Sequence, residues 1–348
     1  MRRSAFFLVV LAGFNVARAQ TPAPAEKPAE RVPSISERAR NLSRQEGFLP
    51  YFWDERRGQL LLEVPSGLTE FLYGSGLAGG AGLTDVSLDR GQLGPLGVCR
   101  FQRVGPRMLL RQMQTTHRSG VSDPERTRVV EESFPSAILA ALPIVAEETD
   151  RVLVDATAFL LADTEIIPAL KQARLGDWKQ DVPRSSLSLS RSGAFPRNTE
   201  LEVLVTLTCE NPPRAVASVL PDRHTMTLMV HHTFVKLPEP GFAPRPLDPR
   251  VGFIPERHLD HTAPVGESIE KYLAIRWRLS KKDPSAAISE PVEPIVYYLD
   301  RGIPEPERSA IRAGALWWNH AFEKAGFRNA FVLKDLPPGA TFLDARYS

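Results

Sequence analysis

Apolar positions between about Pro50 and Leu279 come mostly in short runs, alternating or continuous, as half-buried strands produce. Gly58–Val64, Thr69–Tyr73, Val98–Val104 and Met108–Met113 are the first of these, and Gly105-Pro106 reads as the turn of a hairpin. Arg151–Leu161, Glu200–Cys209, His224–Val235 and Glu270–Leu279 continue the series as predicted strands. A helix is predicted over about Asp163–Ala173, with its aspartate at the N-cap position, and a shorter one over Ser34–Asn41. Residues 237–266 hold many prolines and little periodicity, so they are expected to wrap the surface.

The pattern changes after Lys281-Lys282-Asp283-Pro284-Ser285. Pro294–Asp300 reads as a buried strand. Ile311, Gly314 or Ala315, Trp318, Phe322 and Ala325 then share one face at helical spacing, which predicts a long helix that buries Trp318. Pro304 and Pro306 suit its start and Gly326 its C′ position. Phe331–Leu336 and Thr341–Tyr347 read as two more strands. A β–α–β run of this kind needs further strands and helices to bury both faces.

The N-terminus carries a third pattern. Arg2 and Arg3 precede the apolar run Ala5–Phe14, and Ala17-Arg18-Ala19 is an A-x-A cleavage site before Gln20. The run is too short for a bilayer of ~30 Å, which needs ~20 residues. Residues 1–19 are therefore expected to be a signal peptide, and the protein to be exported to the periplasm or beyond rather than embedded in a membrane. Residues 20–45 begin as a proline-rich tether.

Removing Arg2, Arg3 and Arg18 leaves 40 basic against 41 acidic residues, a net charge of −1. With no basic surplus, nucleic acid is excluded as an expected partner. At 348 residues and 43% hydrophobic, the chain can bury one large or two medium cores. Cys99 and Cys209 could form one disulfide worth ~2–4 kcal/mol or remain two buried thiols, and spacing leaves both open.

Candidate chemistry is sparse. None of the seven histidines begins the His-Glu-x-x-His motif that sets two imidazoles one helical turn apart on zinc. His231 and His232 are neighbours in a predicted strand, so they point to opposite faces and read as structural. His258-Leu-Asp-His261 has a conceivable ligand spacing, but in a loop with no third ligand nearby. Gly74-Ser-Gly76-Leu-Ala-Gly79 matches G-x-G-x-x-G; Leu83–Gly94 is not the required helix, so a flexible loop is expected instead of a dinucleotide site. There is no G-x-S-x-G elbow and no P-loop, and a dispersed triad is defined by geometry alone. No catalytic, cofactor-binding or metal residue is assigned.

Several stretches in order resemble one family. They are Val86–Gly94, Arg103–Leu110, Val152–Leu161, Phe195–Glu200, His231-His232, and above all Lys281–Asp300 with the Trp317-Trp318-Asn319 helix behind it. From about residue 50 to 347 the chain resembles large exported bacterial zinc-dependent metalloproteases whose N-terminal region is a domain of unknown function. The resemblance implies an α+β protein. A mostly antiparallel β domain over 46–285 would be followed by the start of a metzincin-like catalytic domain over 290–348, with the zinc motif falling beyond Ser348. The full-length family would use zinc-activated water on a peptide or protein substrate. This chain is expected to bind no catalytic zinc and to hydrolyse no peptide alone. The alternative expectation is a stand-alone exported β-rich binding module.

Overall fold

A computed structural model of the chain describes residues 31–83, 88–163 and 165–340. The expected signal peptide, residues 20–30 of the tether and the expected strand Thr341–Tyr347 lie outside the described residues. Contacts divide the chain after Val32, and everything below concerns the unit Pro33–Ser348.

Order begins inside the expected tether. In α1 (Ile35–Arg38) Ser34 accepts from the Glu37 amide while the Glu37 carboxylate takes the Ser34 amide, a complete capping box. Strands β1 (Ser43–Gln45), β2 (Tyr51–Asp54), β3 (Gln59–Pro65), β4 (Phe71–Gly79) and the short β5 (Gln92–Leu93) follow. Then come β6 (Gly97–Val104) and β7 (Arg107–Gln112), whose hairpin turns at Gly105 with φ of 55°, a conformation glycine adopts without a Cβ penalty. Next are β8 (His117–Arg118), α2 (Pro124–Ser133), β9 (Ala137–Glu148), β10 (Arg151–Asp155), α3 (Thr157–Leu161) and α4 (Ile166–Gln172). Three two-residue strands, β11 (Lys179–Gln180), β12 (Ser186–Leu187) and β13 (Gly193–Ala194), precede the long β14 (Asn198–Thr208). After α5 (Arg214–Ala217) come β15 (Thr225–Lys236), β16 (Pro255–Asp260) and β17 (Glu270–Ala274). The last elements are β18 (Ile295–Leu299), α6 (Glu307–Leu316), α7 (Trp318–Lys324) and β19 (Phe331–Asp335).

The architecture is mostly antiparallel β. The main sheet runs β1-β2-β3-β10-β9-β7-β6-β4-β15-β14-β11, with β12 and β13 also on β14 and β5 on β4. It curls until its two ends meet. Beside β2, the Phe48 amide donates to Phe195 O at 2.7 Å, and Thr199 Oγ1 in β14 both accepts from Leu49 N and donates to Leu49 O. These hydrogen bonds, rather than a strand pairing, tie the curl together. The curl encloses one core: Leu60, Leu62 and Val64 of β3 share it with Leu201, Val203, Val205 and Leu207 of β14, while Leu160, Ile166 and Leu170 enter from α3 and α4. Phe71, fully buried, meets Phe48 edge-on and Phe101 and Phe234 at tilted angles. A smaller cluster outside the sheet packs Ile35 of α1 and the C-cap residue Ala39 on Phe52, Leu61, Ala146 and Leu153.

Five sequence expectations need correction. The strand predicted over Arg151–Leu161 stops at Asp155, whose carboxylate accepts from the Thr157 amide and turns the chain into α3. The region 237–266, expected to be irregular, contains β16, paired antiparallel with β17 and parallel with β8. The G-x-G-x-x-G stretch is not a loop but the end of β4. The long helix is two: around Trp317 the bonding tightens to i→i+3, from the Trp317 amide to Gly314 O and from the His320 amide to Trp317 O. Trp318 is not buried; it is 60% and Trp317 73% exposed.

β18 and β19 form a separate two-stranded parallel sheet, joined by α6 and α7. Asn319 holds α7 against it by donating to Phe331 O and accepting from the Phe331 amide, both at 2.9 Å.

Candidate functional site

Three glycines shape β4 because another segment crosses it closely. A Cβ on Gly76 would lie 2.3 Å from Gln92 O, and one on Gly74 would lie 2.7 Å from Leu96 Cδ2. Between them Ser75 is buried and pairs with His232 of β15. Gly94 donates its amide to Ser75 O at 2.7 Å, which brings the crossing segment down onto the strand. These glycines therefore serve close backbone approach rather than a phosphate.

The start of α4 completes a cavity of about 200 Å³ over this strand. Asp163 caps the helix, accepting from the Ile166 and Ile167 amides at 2.9 Å each. Glu165 is exposed as a residue, yet its carboxyl group is turned inward. Ser75 Oγ donates to its Oε1 at 3.3 Å, and a Cβ on Gly94 would meet both carboxyl oxygens at 3.0 and 3.1 Å. Burial, helped by the nearby Asp163 charge, raises the Glu165 pKa above the ordinary carboxyl range. The remaining walls are largely apolar: Leu77, Leu88, Leu93, Ile166 and Val230. No Lys, Arg or His lines the cavity among the described residues.

His231 and His232 point to opposite faces, as the strand register requires, and each is engaged by groups of its own face. His231 donates from Nε2 to Glu200 Oε2 at 2.6 Å and sits across from Glu202. Thr233 and Asn198 also donate to Glu200, and Arg191 pairs with Glu202. Burial disfavours the His231 charge, but the two carboxylates outweigh it and raise its pKa to about 9. On the core side, His232 donates from Nε2 to Leu160 O at 2.9 Å, so its Nδ1 accepts from the Tyr73 hydroxyl at 2.9 Å. Burial keeps this ring neutral and lowers its pKa to about 4.

The pair His258 and His261 does not converge. His261 instead meets His117, 144 residues away: His117 Nδ1 and His261 Nε2 lie 2.8 Å apart. Ring centroids 5.1 Å apart make this an end-to-end N–H···N bond, with the lone pair of one ring aimed at the other rather than at a shared ion. Phe134 stacks on His117 at 3.8 Å, and no spacing in the sequence signalled this cluster. Among the described residues no group of three or more His, Cys, Asp or Glu side chains is placed to hold a metal ion. Cys99 and Cys209 are free buried thiols, and burial pushes the Cys99 pKa up to about 12, which keeps it un-ionised and inert. No described helix is long and apolar enough to cross a membrane.

Comparison with known families finds one match, covering residues 91–282, to DUF5117, a domain of unknown function. The chain belongs to the DUF5117 family. No curated protein and no solved structure matches it. The DUF5117 match begins in the middle of the fold rather than at its edge. β4 and β3 lie outside the match, yet β4 sits between β6 and β15 and β3 against β10, and those three strands are inside it. The cavity is likewise shared: Ser75, Gly76 and Leu77 come from outside the DUF5117 match, while Gly94, Glu165 and Val230 come from within.

Proposed function

We propose that this chain is the non-catalytic portion of an exported zinc-dependent metallopeptidase, with a β-rich accessory body and the first elements of a second, α/β unit. Support comes from the contrast between the two. The body is antiparallel and closes on itself, whereas β18–α6–α7–β19 is parallel, with a helical crossover. Parallel sheets are stable when both faces are covered. Here α6 and α7 bury none of their own residues, and Trp317 and Trp318 face solvent. That unit reads as the opening of a larger sheet, in agreement with the resemblance carried by Lys281–Asp300 and the Trp317-Trp318-Asn319 helix.

The side chains of the described residues do not fit a zinc site, so no step of peptide hydrolysis is assigned to any of them. Two measurements test the reading. The gene downstream of codon 348 is expected to encode a His-Glu-x-x-His helix, and a stop followed by unrelated sequence overturns the proposal. The purified chain is expected to hold no stoichiometric zinc and to show no chelator-sensitive proteolysis; both together in the purified chain would equally sink it.

A second reading, a small-ligand binding module without catalysis, is favoured by the Glu165 cavity. It predicts saturable ligand binding by the body alone, whatever the gene encodes downstream.

A further inference from the structure

Buried carboxylates in this protein come with cations. Asp54 is bridged by Arg38 and Arg57, Glu63 by Arg44 and Arg151, Glu202 by Arg191, and Glu200 by His231. This is the ordinary solution, because a carboxylate withdrawn from water needs a counter-charge or a set of donors. Glu165 is not a buried residue, but the end of its side chain is placed differently from any exposed carboxylate paired with Arg or Lys. Its carboxyl group is turned into the cavity with only the Ser75 hydroxyl as donor, and no basic side chain lines the wall. The other carboxylate there, Asp163, is already occupied by two α4 amides.

We infer that the cavity between β4, β15 and the start of α4 is a receptor for a small primary alkylammonium ion, its charge on Glu165 and its chain against Leu77, Leu93, Ile166 and Val230. The about 200 Å³ of space suits roughly six water-sized groups at ~30 Å³ each, which is a butyl to pentyl amine and not a drug-sized molecule. Glycine at 74, 76 and 94 keeps the crossing segment close enough to form the floor. The raised Glu165 pKa agrees with this: the free site lacks the positive charge that would lower it. Binding is expected to weaken as pH falls through that raised value, because protonation of Glu165 removes the attracting charge. The same chemistry is offered by a free amine and by a lysyl side chain of a peptide. The inference does not depend on the peptidase reading, since its readout is binding.

The test is an NMR or calorimetric titration of the full chain with n-pentylamine, using 1-pentanol and pentanoate as controls of equal length. Pentylamine is expected to bind at least tenfold more tightly than either control. Glu165→Gln is expected to remove that preference, and Ala169→Leu, which fills the cavity without touching the carboxylate, to weaken all three. Competition by an acetylated, amidated lysine identifies the side-chain source; its failure beside binding of pentylamine identifies the free amine. Equal affinity for amine and alcohol, no binding at all, or an unaltered preference in a folded Glu165→Gln variant overturns the inference.

Discussion

His231 and Glu200 form a charged pair inside the protein, Nε2 to Oε2 at 2.6 Å, while the adjacent His232 is held neutral on the other face of the same strand. Two neighbouring imidazoles therefore sit in opposite protonation states, one set by carboxylates and the other by burial among apolar groups.

Stability is expected to peak near pH 6.5, with two separate limbs. His231, raised to about 9, contributes stability that is complete below its unfolded value of ~6.5 and is lost as pH rises through about 9. His232, lowered to about 4, costs nothing above ~6.5 and destabilises progressively as pH falls toward 4. Each limb is worth roughly 3 kcal/mol. Denaturant melts across pH in His231→Gln should lack the alkaline limb, and those in His232→Gln the acid one.

Glu200→Ala should cost ~3–5 kcal/mol, because it strands the buried His231 charge together with the Asn198 and Thr233 donors. Glu200→Gln keeps the shape and should cost less. Equal midpoints for the two variants in urea would remove the charge pair as the cause.

Gly76→Ala and Gly105→Ala should separate close packing from backbone strain. The first places a Cβ 2.3 Å from Gln92 O, and overpacking there should reach the upper end of ~1–3 kcal/mol and alter the cavity. The second meets nothing within 4 Å but sits at φ of 55°, so only the conformational penalty of ~1 kcal/mol applies. Thermal melts of the pair check the order.

Residues 91–282 expressed alone should fail to fold. They lack β4, which lies between β6 and β15, and β3, which covers β10. Residues 33–279 should give dispersed NMR spectra; a dispersed spectrum from 91–282 would contradict the strand order.

Limited proteolysis should cut first between Arg301 and Arg328, where α6 and α7 bury no side chain, and later in β3 and β4, whose middles are buried. Asn319→Ala should speed that cleavage by releasing Phe331. First cuts within β3 or β4 would reverse this picture.

Much of the fold was legible because its signals are local. Alternation marked β14 and β15, two-residue periodicity put His231 and His232 on opposite faces, and Asp163 announced α4. β9 was hidden: Ala137–Glu148 is rich in alanine and carries Pro143, and only its place between β7 and β10 makes it a strand. The exposure of Trp318 ran against helical periodicity, which reports a shared face and not whether anything covers it.

By itself, then, the sequence determined long strands such as β14 and β15, the starts of α1 and α4, and the absence of a His-Glu-x-x-His motif within 348 residues. Tertiary structure alone decided which polar groups meet: Ser75 with Glu165 across 90 residues, His117 with His261 across 144, Tyr73 with His232 across 159. Local periodicity carries no information over such separations. The order of strands in a curled sheet sets them, and that order is fixed by the burial of the whole core.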